Sequence, residues 1–358
     1  MTDRLRYLRI TTPALVVAAL LAVASPASAR LGVTWMKGYT APGTPARYDR
    51  VGVIKVGARR ARNVLVLEPG TSAGGGYFVP LARWIVSRAP GWQVWSVERR
   101  ENLLEDQSEL NLAKEHQVSV TQMFDYYLGY LADSSITNHI HPVADTAVPF
   151  ARQWGLKVAV EDLHDVIGAA RKLGGQVVLG GHSLGGSVVT AYATWNFGGA
   201  PGAGQLAGLL YDDGGSSAQA TSALAARGEL KTLSTGTPWL AFSGVPAPLL
   251  GLFSAVGSTA ALVAPDTLSL SQSFSLTPSV LKPPAAATNL ATFGYDTDVK
   301  TSKLVFAAQA HLGHLDTSVS PAGWSSAGAI TPIERWASML AGAGMTNVDG
   351  SEWYSRSA

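Results

Sequence analysis

The chain has 358 residues, 47% of them hydrophobic and 15% charged, with a formal net charge of +2. That length accommodates one α/β core carrying an insertion, and the near-neutral balance offers no electrostatic footprint for nucleic acid, which is not expected as a partner. Cysteine is absent, which excludes disulfides and a cysteine-linked lipid tether.

The first 29 residues read as a targeting segment. Arg4, Arg6 and Arg9 precede an apolar run over residues 13–23, and Ala27-Ser28-Ala29 follows. A basic start, a short apolar stretch and small residues at a cleavage site make a secretory signal peptide. The run is too short to span a bilayer, so no stable membrane anchor is expected. Cleavage near Ala29 would leave residues 30–358 as one secreted or cell-envelope domain. The 18 arginines against 9 lysines and the abundant alanine fit a GC-rich bacterial genome.

Strands are predicted at 51–56 and 64–67, the second a continuous apolar run suited to burial on both faces. Helical spacing follows over 77–88 and another strand over 92–97. Residues 124–131 read as helix, 133–149 as polar loop and 156–173 as an amphipathic helix. A strand ending at Leu179, a helix over 187–195 and a strand over 206–211 come next. Strands then alternate with helices, so the expected fold class is α/β, a mostly parallel sheet with helices on both faces. Between Gly244 and Ala287 the only charges are Asp266 and Lys282, and this stretch is read as part of an inserted cap or lid at about 216–300. Residues 238–242 and 304–310 read as later strands, and 333–341 as a closing helix.

The chemistry centres on Gly181-His182-Ser183-Leu184-Gly185, placed between a strand and a helix. A G-x-S-x-G turn there holds a serine at a strained corner with its hydroxyl outward, as an acyl-transfer nucleophile requires. Such a serine needs a histidine base and an orienting acid, in chain order serine, acid, histidine. Of seven histidines only His311 and His314 follow Ser183. His314 is the first choice, with Gly313 freeing the backbone to aim it, and His311 the alternative. For the acid, Asp213 is preferred at the end of the 206–211 strand, with Asp212 the alternative. Asp296 and Asp298 follow no convincing strand and are set aside. The backbone N–H of Leu184 and that of Thr71 or Ser72, in the glycine-rich loop 68–76, are the expected oxyanion donors.

Rival chemistries fit less well. Loop 68–76 lacks the G-x-G-x-x-G spacing of a dinucleotide site, since Ser72 stands where glycine is needed, and no phosphate loop occurs. His139 and His141 could face one way, but no third ligand is near, so no metal is expected.

These residues resemble the α/β-hydrolase superfamily, in particular its secreted bacterial lipase and esterase-like members. The likeness rests on 177–186, 69–76, 206–215 and Gly313-His314, and coarsely spans 51–341. It implies the α/β-hydrolase fold, a Ser-His-Asp triad, hydrolysis of a small-molecule or lipid ester through an acyl-enzyme, and no cofactor. The same constellation would serve a cell-envelope acyltransferase, or could persist in a silent binding protein on this fold.

Overall fold

The computed structural model describes residues 31–215, 222–242, 244–303, 308 and 310–356. The targeting segment and most of the strand expected at 304–310 lie outside the described residues. Strand β1 (Val33–Lys37) opens the chain, followed by β2 (Arg50–Val56), β3 (Asn63–Glu68), α1 (Val79–Arg88) and β4 (Trp92–Glu98). Helices α2 (Ser108–Lys114), α3 (Val120–Tyr127) and α4 (Leu156–Arg171) lead to β5 (Val177–His182) and α5 (Leu184–Thr194). A minimal hairpin, β6 (Asn196–Phe197) with β7 (Ala200–Pro201), precedes β8 (Gly208–Asp212).

Six strands form one sheet in the order β1-β2-β4-β3-β5-β8. Strand β2 runs against both of its neighbours, while β4, β3, β5 and β8 pair in parallel. With helices on both faces and a strand–turn–helix elbow after β5, this is the α/β-hydrolase fold. The period-2 alternation of β3 explains the two layers. Val64 and Val66 join the core beneath α4 and α5, and Leu65 and Leu67 join the core beneath α1.

The second half departs from the expected alternation. After α6 (Ala223–Thr235), residues 238–242 supply only β9 (Ala241–Phe242), paired with β10 (Val245–Pro246) away from the sheet. Trp239 bridges to Arg356 instead. The near-uncharged stretch forms α7 (Ala247–Val263), which packs against α2, α3 and a later helix. Leu252, Ala255, Val256 and Ala260 share a core with Met123, Tyr127 and Trp353. Burial on most of its circumference accounts for the helix's missing charge. Helix α8 (Asn289–Thr297), the hairpin β11 (His314–Asp316) with β12 (Gly323–Ser325), and α9 (Ile333–Leu340) complete the order. Among the described residues no helix is long and apolar enough to cross a membrane.

Candidate active site

Ser183 stands between β5 and α5 with φ 52° and ψ −120°, left-handed backbone that serine rarely adopts. Its side chain is exposed at the carboxyl end of the parallel strands. The flanking glycines are a steric necessity. A Cβ on Gly181 would lie 2.3 Å from the Gly185 carbonyl carbon, and one on Gly185 would lie 2.2 Å from the Glu68 oxygen. Gly185→Ala must therefore push strand β3 and helix α5 apart. A loss of about 3 kcal/mol is expected, at the upper end of overpacking costs, and a denaturant titration checks it.

The turn after β8 closes over the elbow from the other side. The Ser183 N–H donates to the Asp212 carbonyl at 3.3 Å, and a Cβ on Gly214 would lie 2.5 Å from the Ser183 nitrogen. Asp212 and Asp213 are exposed, and Asp213 has φ 45°. Their charges act on Tyr77, which is pushed up to about 12 by burial and then by these two aspartates. Tyr77 in turn stacks on His182 at 5.4 Å between ring centroids, so His182 lines the elbow's flank.

The glycine-rich loop reaches the serine at Gly70, where a Cβ would stand 3.0 Å from the Ser183 Cβ. Most of its N–H groups are already committed. Ser72 donates to the Ser355 hydroxyl at 3.0 Å, Gly74 to the Gly350 carbonyl, Gly75 to Glu98 and Gly76 to the Asp349 carbonyl. Ala73 donates back to Gly70. Of the two loop donors expected from the sequence, Ser72 is thus occupied, and Thr71 has no acceptor among the described residues. Leu184 opens α5, where helix geometry leaves its N–H without an intrahelical acceptor.

Arg99, just after β4, clamps this loop from below. Its guanidinium donates to Glu68 at 2.7 Å, Glu352 at 2.8 Å, the Gly70 carbonyl at 3.1 Å and the Pro69 carbonyl. Burial works against its charge, but Glu352 and Glu68 hold Arg99 above its ordinary value. Burial likewise pushes Glu352 up to about 7, against the pull of Arg99. Next to it Arg100 pairs with Asp162 at 2.6 Å and Asp49 at 3.0 Å. Nothing in the local sequence marks these pairs, because each partner comes from a different element.

The two late histidines part company. His311 Nδ1 lies 2.9 Å from Asp298, a carboxylate with no exposure, while the His311 ring is 20% exposed. Asp298 caps the end of α8 and accepts the N–H groups of Leu312 and Lys300. Burial disfavours its charge, yet these donors and His311 hold Asp298 below the usual carboxylate range. Trp324 fixes the arrangement. It donates to the Leu312 carbonyl, and its ring fills the space a side chain would need at Gly294 or Gly313. Gly313, at φ 133°, is therefore held rather than free.

His314 sits exposed in β11, opposite Ser325. The sequence placed it ahead of His311, with Asp213 as its acid. Among the described residues no hydrogen bond or ion pair joins Asp213 or Asp212 to either histidine, and Asp298, set aside on the sequence, holds His311. No hydrogen bond joins Ser183 to a histidine among these residues either. His139 stacks on Tyr130, with His141 4.9 Å away. Among the described residues no group of three His, Cys, Asp or Glu side chains gathers for a metal.

No protein-family model and no curated protein matches the chain. Solved structures similar in part include one described as a lipase from Sulfolobus solfataricus, at TM-score 0.38 and 15% identity, covering 66% of this chain and 59% of that one. Another is a thioesterase domain from the curacin biosynthetic pathway, at TM-score 0.32 and 11% identity, covering 64% and 63%. A third is the siderophore hydrolase EstB from Aspergillus fumigatus, at 0.23 and 13%, covering 68% and 60%. The chain spans about three-fifths of the length of these structures.

Proposed function

We propose that the chain is a secreted serine hydrolase of carboxylic esters, with Ser183 as nucleophile. The observation that carries this is the elbow. A serine held at φ 52° and exposed at the strand ends costs stability and has no packing role that would explain it. The glycine loop beside it, with the Thr71 N–H unpaired among the described residues, supports an oxyanion site shared with Leu184.

For the base, the hydrogen bond to Asp298 favours His311, because a carboxylate on Nδ1 fixes the tautomer that leaves Nε2 to take a proton. His314 with Asp213 is the competing assignment. In the proposed cycle the Ser183 oxygen attacks the ester carbonyl as its proton passes to the histidine. The N–H groups of Leu184 and Thr71 hold the oxyanion. Collapse expels the alcohol, which takes that proton, and a water activated by the same histidine then releases the acid and restores the serine.

A fluorophosphonate probe should label Ser183, and a p-nitrophenyl ester of short chain should be cleaved. His311→Ala is expected to lower kcat/KM by at least about 10³-fold, whereas His314→Ala changes it by less than about tenfold. The reverse ranking transfers the base to His314. Turnover unchanged in Ser183→Ala removes the proposal altogether. Product analysis with an alcohol acceptor present separates hydrolysis from acyl transfer.

A further inference from the structure

The end of the sheet opposite Ser183 carries a charge pattern that four separate loops build together. Strands β3, β4 and β5 start in register, Asn63 beside Trp92 and Val64 beside Val177, so the segments entering them share one end. The loop between β2 and β3 leaves at that end too, since Val56 pairs with Val94. The segments touch. A Cβ on Gly175 would lie 2.3 Å from the Arg62 carbonyl oxygen, and Gln93 donates to the Ala61 carbonyl.

Arg59, Arg60, Arg62, Arg88, Arg171 and Lys172 all stand exposed on these segments. None forms an ion pair among the described residues. No Asp or Glu occurs in 57–62, 83–91 or 171–176, nor in 195–207, which closes the same end. The acids of α4, Glu161, Asp162 and Asp165, precede Arg171 by six residues or more along the helix, and Asp162 pairs with Arg100. Because the whole chain carries only +2, the remainder of the molecule is net negative. Arg88 and Arg171 complement the ends of their helices, but a helix end does not call for six cations in one place.

This face also carries an exposed aromatic ring at its edge. On the last turns of α1, Trp84 is 56% exposed and the Arg88 guanidinium lies 4.4 Å over its ring. Exposed tryptophan among arginines suits the boundary between water and lipid headgroups. A soluble polyanion would engage the arginines and leave Trp84 in water.

We propose that this end is a docking face for an anionic lipid surface, holding the protein reversibly with Ser183 turned away from the bilayer. The strand length separates the two ends by about 20 Å. The site would then meet substrate arriving from the aqueous side. This inference is independent of the chemistry assigned to Ser183.

Co-sedimentation of the full chain with phosphatidylcholine vesicles, with and without phosphatidylglycerol, tests it. Comparing parent and variants cancels whatever residues 1–30 contribute. On anionic vesicles the triple variant Arg59→Glu/Arg60→Glu/Arg171→Glu should bind more than about 100-fold more weakly than the parent, since three lost cations at roughly fivefold each give that factor before the repulsion of three added carboxylates. The difference should vanish on neutral vesicles and shrink in high salt. The glutamine triple at the same positions should fall between, and Trp84→Ala should weaken binding several-fold, all with the parent's thermal midpoint. Equal binding of parent and triple variant to anionic vesicles overturns the proposal. So does binding to soluble polyphosphate that the triple loses, combined with vesicle binding indifferent to Trp84→Ala.

Discussion

Ser183→Gly is expected to leave the protein more stable and without the esterase activity proposed for it. Serine at φ 52° carries a backbone strain of about 1–3 kcal/mol that glycine does not. Glycine loses more chain entropy on folding, so a net gain of about 1 kcal/mol is the expected balance. Ser183→Ala supplies the control, since it keeps a Cβ at φ 52° and so keeps the strain. Both variants should lose on the order of 10⁴–10⁶ in kcat if the serine is the nucleophile. Denaturant midpoints and ester turnover, measured side by side, decide the matter. A glycine variant less stable than the alanine variant would show that the elbow is relaxed and that strain was the wrong reading.

Loss of Arg99 should be the most damaging single substitution outside the elbow. The side chains of Glu68 and Glu352 are each only 2% exposed, and Arg99 is the cation bonded to both. Arg99→Ala strands two buried carboxylates, a change that typically costs about 3–5 kcal/mol. The damage should depend on pH in a defined direction. Glu352 already protonates at about 7 in the fold, above the unfolded value of about 4.3. A carboxyl so raised contributes stability that is present below the unfolded value and lost as pH rises through the folded one. Without Arg99 that folded value rises further. The variant should therefore be closer to the parent near pH 5 and weakest above pH 8. Arg99→Lys keeps the charge but not the fork, so it should recover stability better than turnover, because the Pro69 and Gly70 carbonyls lose their clamp. Equal losses at both pH values would argue against unpaired carboxylates as the cause.

The parts of the molecule that sequence reveals are those whose signal is local. The apolar runs of β3, β4 and β5 and the glycines of the elbow each impose their geometry within a few residues. The strands, α4 and Ser183 consequently lie close to where the pattern puts them. What escaped notice depends on partners far apart in the chain. Asp298 is set aside on the sequence because it follows no strand; it caps the end of α8, accepts the Leu312 and Lys300 N–H groups and lies against His311. Gly313 read as freedom and is instead the space that Trp324 needs. The lack of charge in α7 is local, but the α2, α3 and Trp353 surfaces that bury it come from distant parts of the chain. The basic end escaped because no single segment holds more than three of its cations.

The tail that runs beneath the glycine-rich loop also imposes an order of assembly. Ser72 and its acceptor Ser355 are 283 positions apart, and the acceptors for Gly74 and Gly76 come from the same late segment. Contacts between remote positions form late, after the neighbouring strands have found one another. A nascent or refolding chain can thus hold a finished sheet, with Ser183 already bent into its corner, while the glycine-rich loop still lacks the acceptors that set its shape. On the proposed function, competence for catalysis would arrive as a closing step, governed by a segment remote from Ser183 in the chain.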